Sequence, residues 1–252
     1  HVSRNYPGLT YKGIDQFNYG KGIDQFYRPY IEMQKKYANM LLTHKNPYTG
    51  TSYIEEPAVA FVEVNNENSL LSNWALLPQL NPEHKKALTG LWKNWLNSHP
   101  EHKKYAGGSD IIKIISSYST DATIRQKKAL WGFLVDTEKS YAKEMIEYLK
   151  NDLKVKGLVS ESQASYSGIA GIHREASYAD FIDMHSYWEH PNFPGKSWSR
   201  TDWRIRNSSM VTDKKGGTFK SFGQHRVAGM PLTISEYDHP APSFFCAEMF
   251  PM

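Results

Sequence analysis

Residues 62–68 (VEVNNEN) and 232–237 (LTISEY) each carry an apolar run into a polar cluster that holds a glutamate. Residues 58–64 (AVAFVEV) form a nearly continuous apolar stretch of strand length, the pattern of a strand covered on both faces. Residues 230–235 (MPLTIS) run into Glu236 in the same way. Two further stretches read as strands: 154–159 (KVKGLV), followed by Ser160, Glu161, Ser162 and Gln163, and 178–185 (YADFIDMH), followed by Ser186, Tyr187 and Trp188. Helical periods separate them. Residues 28–43 place Ile31, Tyr37, Met40 and Leu41 on one side, and residues 82–97 do so with Leu88, Leu91, Trp92 and Trp95. Residues 120–152 read as two helices meeting near 132–137, and 217–228 as a modest helix. Strand and helix alternate, with polar groups gathered after each strand, which predicts βα units around a parallel sheet and a (β/α)8 barrel as the leading fold. Such barrels keep their chemistry at the carboxyl ends of their strands.

The 252 residues are 40% hydrophobic and 22% charged, a balance that fits a single soluble globular domain over 1–252 and excludes disorder. The formal net charge is +4, with Lys, Arg, Asp and Glu scattered rather than blocked, which argues against a nucleic-acid partner. No run approaches the roughly 18 apolar residues that a membrane helix needs, so no membrane partner is expected. Cys246 stands alone, which excludes an intrachain disulfide and a cysteine-based metal site. Seven Trp and sixteen Tyr, many beside Asn, His, Pro or Gly, suit stacking against sugar rings.

Glu67 after Asn66, the triplet His185-Ser186-Tyr187 with Trp188, and Ser235-Glu236-Tyr237 occur in this order. Together they resemble the clan-A glycoside hydrolases, the (β/α)8 group that includes β-galactosidases, β-mannanases and β-glucanases. The resemblance implies a retaining O-glycosyl hydrolase with Glu67 as general acid/base and Glu236 as nucleophile. Asn66 would then bond the sugar hydroxyl beside the reacting carbon, and Tyr187 would donate to Glu236 and keep it ionised. His185 would orient Glu67 or a sugar hydroxyl, while Trp188 and Trp198 would offer a stacking platform. The two glutamates lie 169 residues apart, consistent with strands four and seven. Retention requires their carboxyl groups about 5 to 5.5 Å apart and in different protonation states. By the same resemblance the protein is expected to be secreted or periplasmic, with a carbohydrate substrate and no cofactor.

Gln163 and Glu161, after the middle strand, are read as lining the cleft, with a surface role for Glu161 equally open. Glu63 by alternation points away from Glu67, toward a salt bridge. His173, His185, His190, His225 and His239 form no tight ligand set such as His-Glu-x-x-His, so no metal is expected. No Gly-x-Ser-x-Gly elbow is present, and Gly195-Lys196-Ser197 lacks the upstream glycine of a phosphate loop. Gly13-Ile14-Asp15-Gln16-Phe17 recurs as Gly22-Ile23-Asp24-Gln25-Phe26, a repeat with no evident chemistry.

Only 66 residues precede Glu67 and 16 follow Glu236, too few for the early strands and for strand eight. The sequence therefore predicts an incomplete barrel, about strands three or four to seven, with exposed apolar faces and self-association through an open edge. The alternative function is a catalytically silent carbohydrate-binding barrel fragment.

Overall fold

The computed structural model describes residues 21–249 and is a mixed α/β structure built on short parallel strands. The first copy of the repeated segment, Gly13 to Phe17, lies outside the described residues. Strands β1 (Phe61–Glu63) and β2 (Leu158–Ser160) pair in parallel, as do β3 (Ile182–Tyr187) and β4 (Leu232–Asp238). The two pairs meet through a parallel bridge between Gln163 and Asp183 and through the Asp180 N–H, which donates to the Val159 carbonyl at 2.9 Å. The strands thus run side by side in chain order, and all their carboxyl ends point one way.

Helix α1 (Arg28–Leu42) starts with Pro29 in its first turn. Its buried stripe is Tyr30, Ile31 and Leu42, while Tyr37, Met40 and Leu41 are exposed, contrary to the face expected from sequence. The periodicity explains the difference: Met40 is nine positions from Ile31, which at about 100° per residue is the opposite side of a helix. Between β1 and β2 the chain forms α2 (Leu70–Asn73), α3 (Pro82–Ser98), α4 (Pro100–Ala106), α5 (Ile111–Ser116) and α6 (Ile124–Glu147). Asn81 caps α3, Asp110 caps α5, and Thr123 with Gln126 forms a full capping box on α6, each satisfying N–H groups that have no partner inside the helix.

α6 runs unbroken through Gly132 and ends in a π-turn (Tyr148–Asp152), so the expected break at 132–137 is absent. Gly132 has a packing role: a Cβ there would lie 3.1 Å from the Trp95 ring, so any larger residue would require the indole to shift by a few tenths of an ångström. The main core lies among these helices, around Leu88, Trp92, Leu130, Phe133 and Leu134. A second cluster, Leu42, Ile146, Leu149 and Val159 with Val62 and Val64, packs helices onto one face of β1 and β2. Among the described residues the other face is covered only in part: Ser160 and Met184 are buried there, and Phe61 packs on Phe181. Phe61 is 55% exposed, Leu158 and Ile234 are also exposed, and the strand at 58–64 shrinks to three residues with alternating burial rather than cover on both sides.

Two βα-type helices follow, α7 (Gly168–Tyr178) before β3 and α8 (Gly217–Gln224) before β4. β3 begins four residues later than expected because Tyr178 closes α7. β4 extends past Ser235, so Glu236 lies inside the strand instead of beyond it.

Candidate active site

Glu67, His185 and Glu236 converge at the carboxyl ends of the strands. One ligand atom from each lies within 4.8 Å of the others, so a carboxylate oxygen of Glu67 and one of Glu236 stand close together beside the imidazole. His185 Nδ1 is 2.9 Å from Glu67 Oε1 and 3.4 Å from Glu236 Oε2. The imidazole is almost fully covered, whereas both carboxylates keep part of their surface open.

A bulge aims these groups. Met184 pairs with Ile234 but His185 pairs with Glu236, leaving Ser235 as an extra residue in β4. An extra residue of this kind bends a strand and re-aims its side chains. As a result Ser235 and Glu236 both reach His185 from neighbouring positions: His185 Nε2 is 3.0 Å from Ser235 Oγ. Ser235 Oγ in turn donates to Asp183 Oδ2 at 2.6 Å, and Asp183 also accepts from the Thr233 hydroxyl at 2.6 Å and the Ser235 N–H at 3.1 Å. Because the serine hydrogen goes to Asp183, His185 Nε2 is the donor to Ser235. This network assigns the tautomer and leaves Nδ1 facing Glu67.

Glu67 occupies the left-handed region, φ 50°, rare for a residue with a side chain and costly unless its surroundings enforce it. The enforcement is visible. Gln163 Oε1 accepts the Glu67 N–H, and Ser162 Oγ accepts the Asn68 N–H at 3.1 Å. The Asn68 side chain accepts from Gly22 N–H at 2.9 Å and donates to Asp24 at 2.7 Å, while Gln25 Oε1 accepts the Leu70 N–H at 2.7 Å. The second copy of the repeated segment is thus a tether for the loop that carries Glu67, a role invisible in the repeat itself.

The electrostatics differ from expectation. Burial pushes the Glu67 carboxyl up, but hydrogen bonds from His185 and Tyr166 and the charges of His185 and Lys21 outweigh it and hold the group below the usual carboxylate range. Tyr166, which sequence reasoning missed, is itself raised to about 12 by burial and by the Glu67 charge. Its only signal was its place six residues past β2. Tyr187 donates to Glu236, and burial followed by this contact raises its phenol.

Among the described residues Glu63 makes no salt bridge; it accepts from Gln163 Nε2. Its carboxyl is pushed up to about 8, first by burial and then by the nearby Asp183, Glu175 and Glu236. Gln163 is fully buried, so it supports the loop and does not face a sugar. Glu161 is also buried, against Arg174, which removes both the cleft-lining and surface readings.

Asn66 is exposed at the rim. Trp188 donates its indole N–H to the Ser208 carbonyl at 2.8 Å and is half-buried. Trp198 is 73% exposed and makes its ring contacts with His190 and Phe193, so the expected Trp188–Trp198 pair is replaced by a different set of rings.

Glu67, His185 and Glu236 are also the described residues able to hold a metal ion, which would require His185 Nδ1 unprotonated. Their spread over 169 residues hid this geometry from spacing rules. No family model, curated protein or solved structure matches the chain.

Proposed function

We propose that this chain is an O-glycosyl hydrolase that cleaves β-glycosidic bonds of an oligo- or polysaccharide with retention, on a partial (β/α)8 barrel in which β1 to β4 serve as strands four to seven. The observation that carries the reading is the approach of a Glu67 and a Glu236 carboxylate oxygen to within 4.8 Å, near the separation that retention needs. In the first step Glu236 attacks the anomeric carbon, the bond to the leaving oxygen breaks, and Glu67 gives that oxygen a proton. In the second, Glu67 takes a proton from water, whose oxygen bonds the anomeric carbon and releases Glu236.

A carboxyl held below its usual range is a poor acid at rest, and His185 supplies the answer. With Nε2–H committed to Ser235, Nδ1 faces Glu67 Oε1 at 2.9 Å, and on this reading one proton lies in this contact. On Nδ1 it makes an imidazolium–carboxylate pair; on Oε1 it makes Glu67 the acid. A sugar that excludes water disfavours the charged pair and moves the proton to Glu67.

Glu236→Gln is expected to abolish turnover of aryl β-glycosides while leaving saccharide binding intact. An unmutated chain that binds saccharides but never hydrolyses them would favour the silent binding reading. Loss of hydrolysis with a chelator, restored by a divalent cation, would instead favour a metal at the same three side chains.

A further inference from the structure

The connection between β3 and β4, residues 188–231, holds eight Lys and Arg against three Asp and Glu, a net charge of +5. The whole chain carries +4, so the remainder nets −1 and the positive charge is concentrated here. Reading charge along the full chain conceals this, because the basic residues are interleaved with aromatic and polar ones.

The same segment supplies the rim of the candidate active site. Tyr187, whose hydroxyl reaches Glu236, contacts His190 at 6.1 Å between ring centroids, and His190 contacts Trp198 at 5.5 Å. Phe193 packs on Trp198 at 5.2 Å. A run of rings therefore leads outward from the nucleophile to an exposed indole. Trp198 sits in a tight turn with φ 59°, closed by the Ser199 N–H donating to the Lys196 carbonyl at 3.1 Å. Lys196 and Arg200 flank it in sequence. Arg204 is tied to Asn192 by two backbone hydrogen bonds of 2.8 Å, which folds the segment back beside Phe193.

Lys196, Arg200 and Arg204 are exposed, and among the described residues none has a carboxylate within ion-pair distance. Arg206 is the exception, 3.7 Å from the buried Glu189. Unpaired cations around an exposed ring are a recognition surface for a ligand with both a flat apolar face and fixed negative charge.

We infer that the substrate is an anionic glycan, one that carries uronate carboxylates or sulfate esters, with a sugar unit stacked on Trp198 and its charged groups paired with Lys196, Arg200 and Arg204. This inference rests on the glycosidase reading for the chemistry but concerns binding, which is measured separately. The run of rings extends beyond the reacting sugar, so the ligand is an oligo- or polysaccharide and not a single residue.

The test is affinity electrophoresis of the whole chain through gels containing a neutral xylan, a glucuronate-bearing xylan or a sulfated galactan, with double-stranded DNA as a non-saccharide polyanion. The expected result is retardation at least tenfold stronger by one of the anionic glycans than by the neutral one at low salt, narrowing as salt screens the charges. Whether the carboxylated or the sulfated polymer retards more identifies the charged group. The triple variant Lys196→Gln, Arg200→Gln, Arg204→Gln is expected to weaken anionic binding about tenfold and to leave neutral binding unchanged. Trp198→Ala is expected to weaken both.

Equal retardation by neutral and anionic glycans would overturn the inference, as would equal retardation by DNA or an unaffected triple variant. Turnover of aryl glycosides without an anionic preference would remove this inference and leave the glycosidase reading. An anionic preference without any turnover would do the reverse.

Discussion

Replacing Arg174 with Met removes the one positive charge from a buried group of three carboxylates. The guanidinium pairs with Glu138, lies 3.0 Å from Glu161 and 3.2 Å from Glu175, and donates to Ser167 Oγ at 3.1 Å. All four charged residues are within 1% of full burial. Methionine roughly fills the space, so the loss comes from stranded charge and not from a void. Removing one partner of a buried ion pair costs about 3–5 kcal/mol, a large share of the roughly 5–15 kcal/mol that holds a domain folded. Glu138 also accepts the Leu71 N–H at 2.9 Å, so the damage reaches the loop that carries Glu67.

The sign of the pH dependence follows from the same geometry. Burial raises Glu161 and Glu175 above the ordinary carboxylate value, and Arg174 restrains that rise. Above the ordinary value the folded state holds protons that the unfolded chain has released, so stability falls as pH rises through this window. Without Arg174 the rise is larger, and the variant recovers part of its loss by protonation. Urea unfolding is expected to show a deficit of about 3–5 kcal/mol near pH 8 and a smaller one near pH 5. A deficit under about 1 kcal/mol, or the same deficit at both pH values, would refute the reasoning.

Tyr187→Phe deletes the hydrogen bond to the Glu236 carboxylate, a contact to a charged group worth about 1.5–3 kcal/mol; kcat/KM for an aryl β-glycoside should fall about 10- to 150-fold. Glu63→Gln should flatten the pH dependence of stability. The native carboxyl, raised to about 8, keeps a proton that the unfolded chain loses near its ordinary value of 4.5. The wild type therefore loses stability between these values as pH rises, and the variant's advantage near pH 8, about 1 kcal/mol after solvent screening, is read from thermal melts at two pH values. Thr123→Ala removes the α6 capping box and should cost about 1 kcal/mol by urea unfolding, with no change in ligand binding.

Glu67 and Glu236 were legible because each follows an apolar run with strand character, and His185 and Tyr187 because they share one strand with a two-residue period. The α/β class followed from the same alternation. The bulge at Ser235 was not legible, since an unpaired residue leaves no trace in hydrophobic pattern, yet it decides which side chain faces His185. Gln163 looked like a cleft residue because polarity suggests exposure; its amide is buried by the need to hold the Glu67 backbone. Gly132 looked like a helix break because its contact with Trp95 is tertiary. Helix α3 was legible from its stripe, whereas α2, α4 and α5 were missed, being four to seven residues long, too short for a periodic stripe, with α2 and α5 set by the caps Ser69 and Asp110.

The claim on which the functional account stands is that Glu236 bonds a sugar while Glu67 faces it. Incubation with a panel of 2-deoxy-2-fluoro glycosides, followed by mass spectrometry of proteolytic peptides, tests this most directly. The account predicts a mass increase of one fluorosugar on the peptide bearing Glu236, absent in Glu236→Gln. A fluorosugar on another carboxylate, or hydrolysis of the panel with inversion and no adduct, would contradict it.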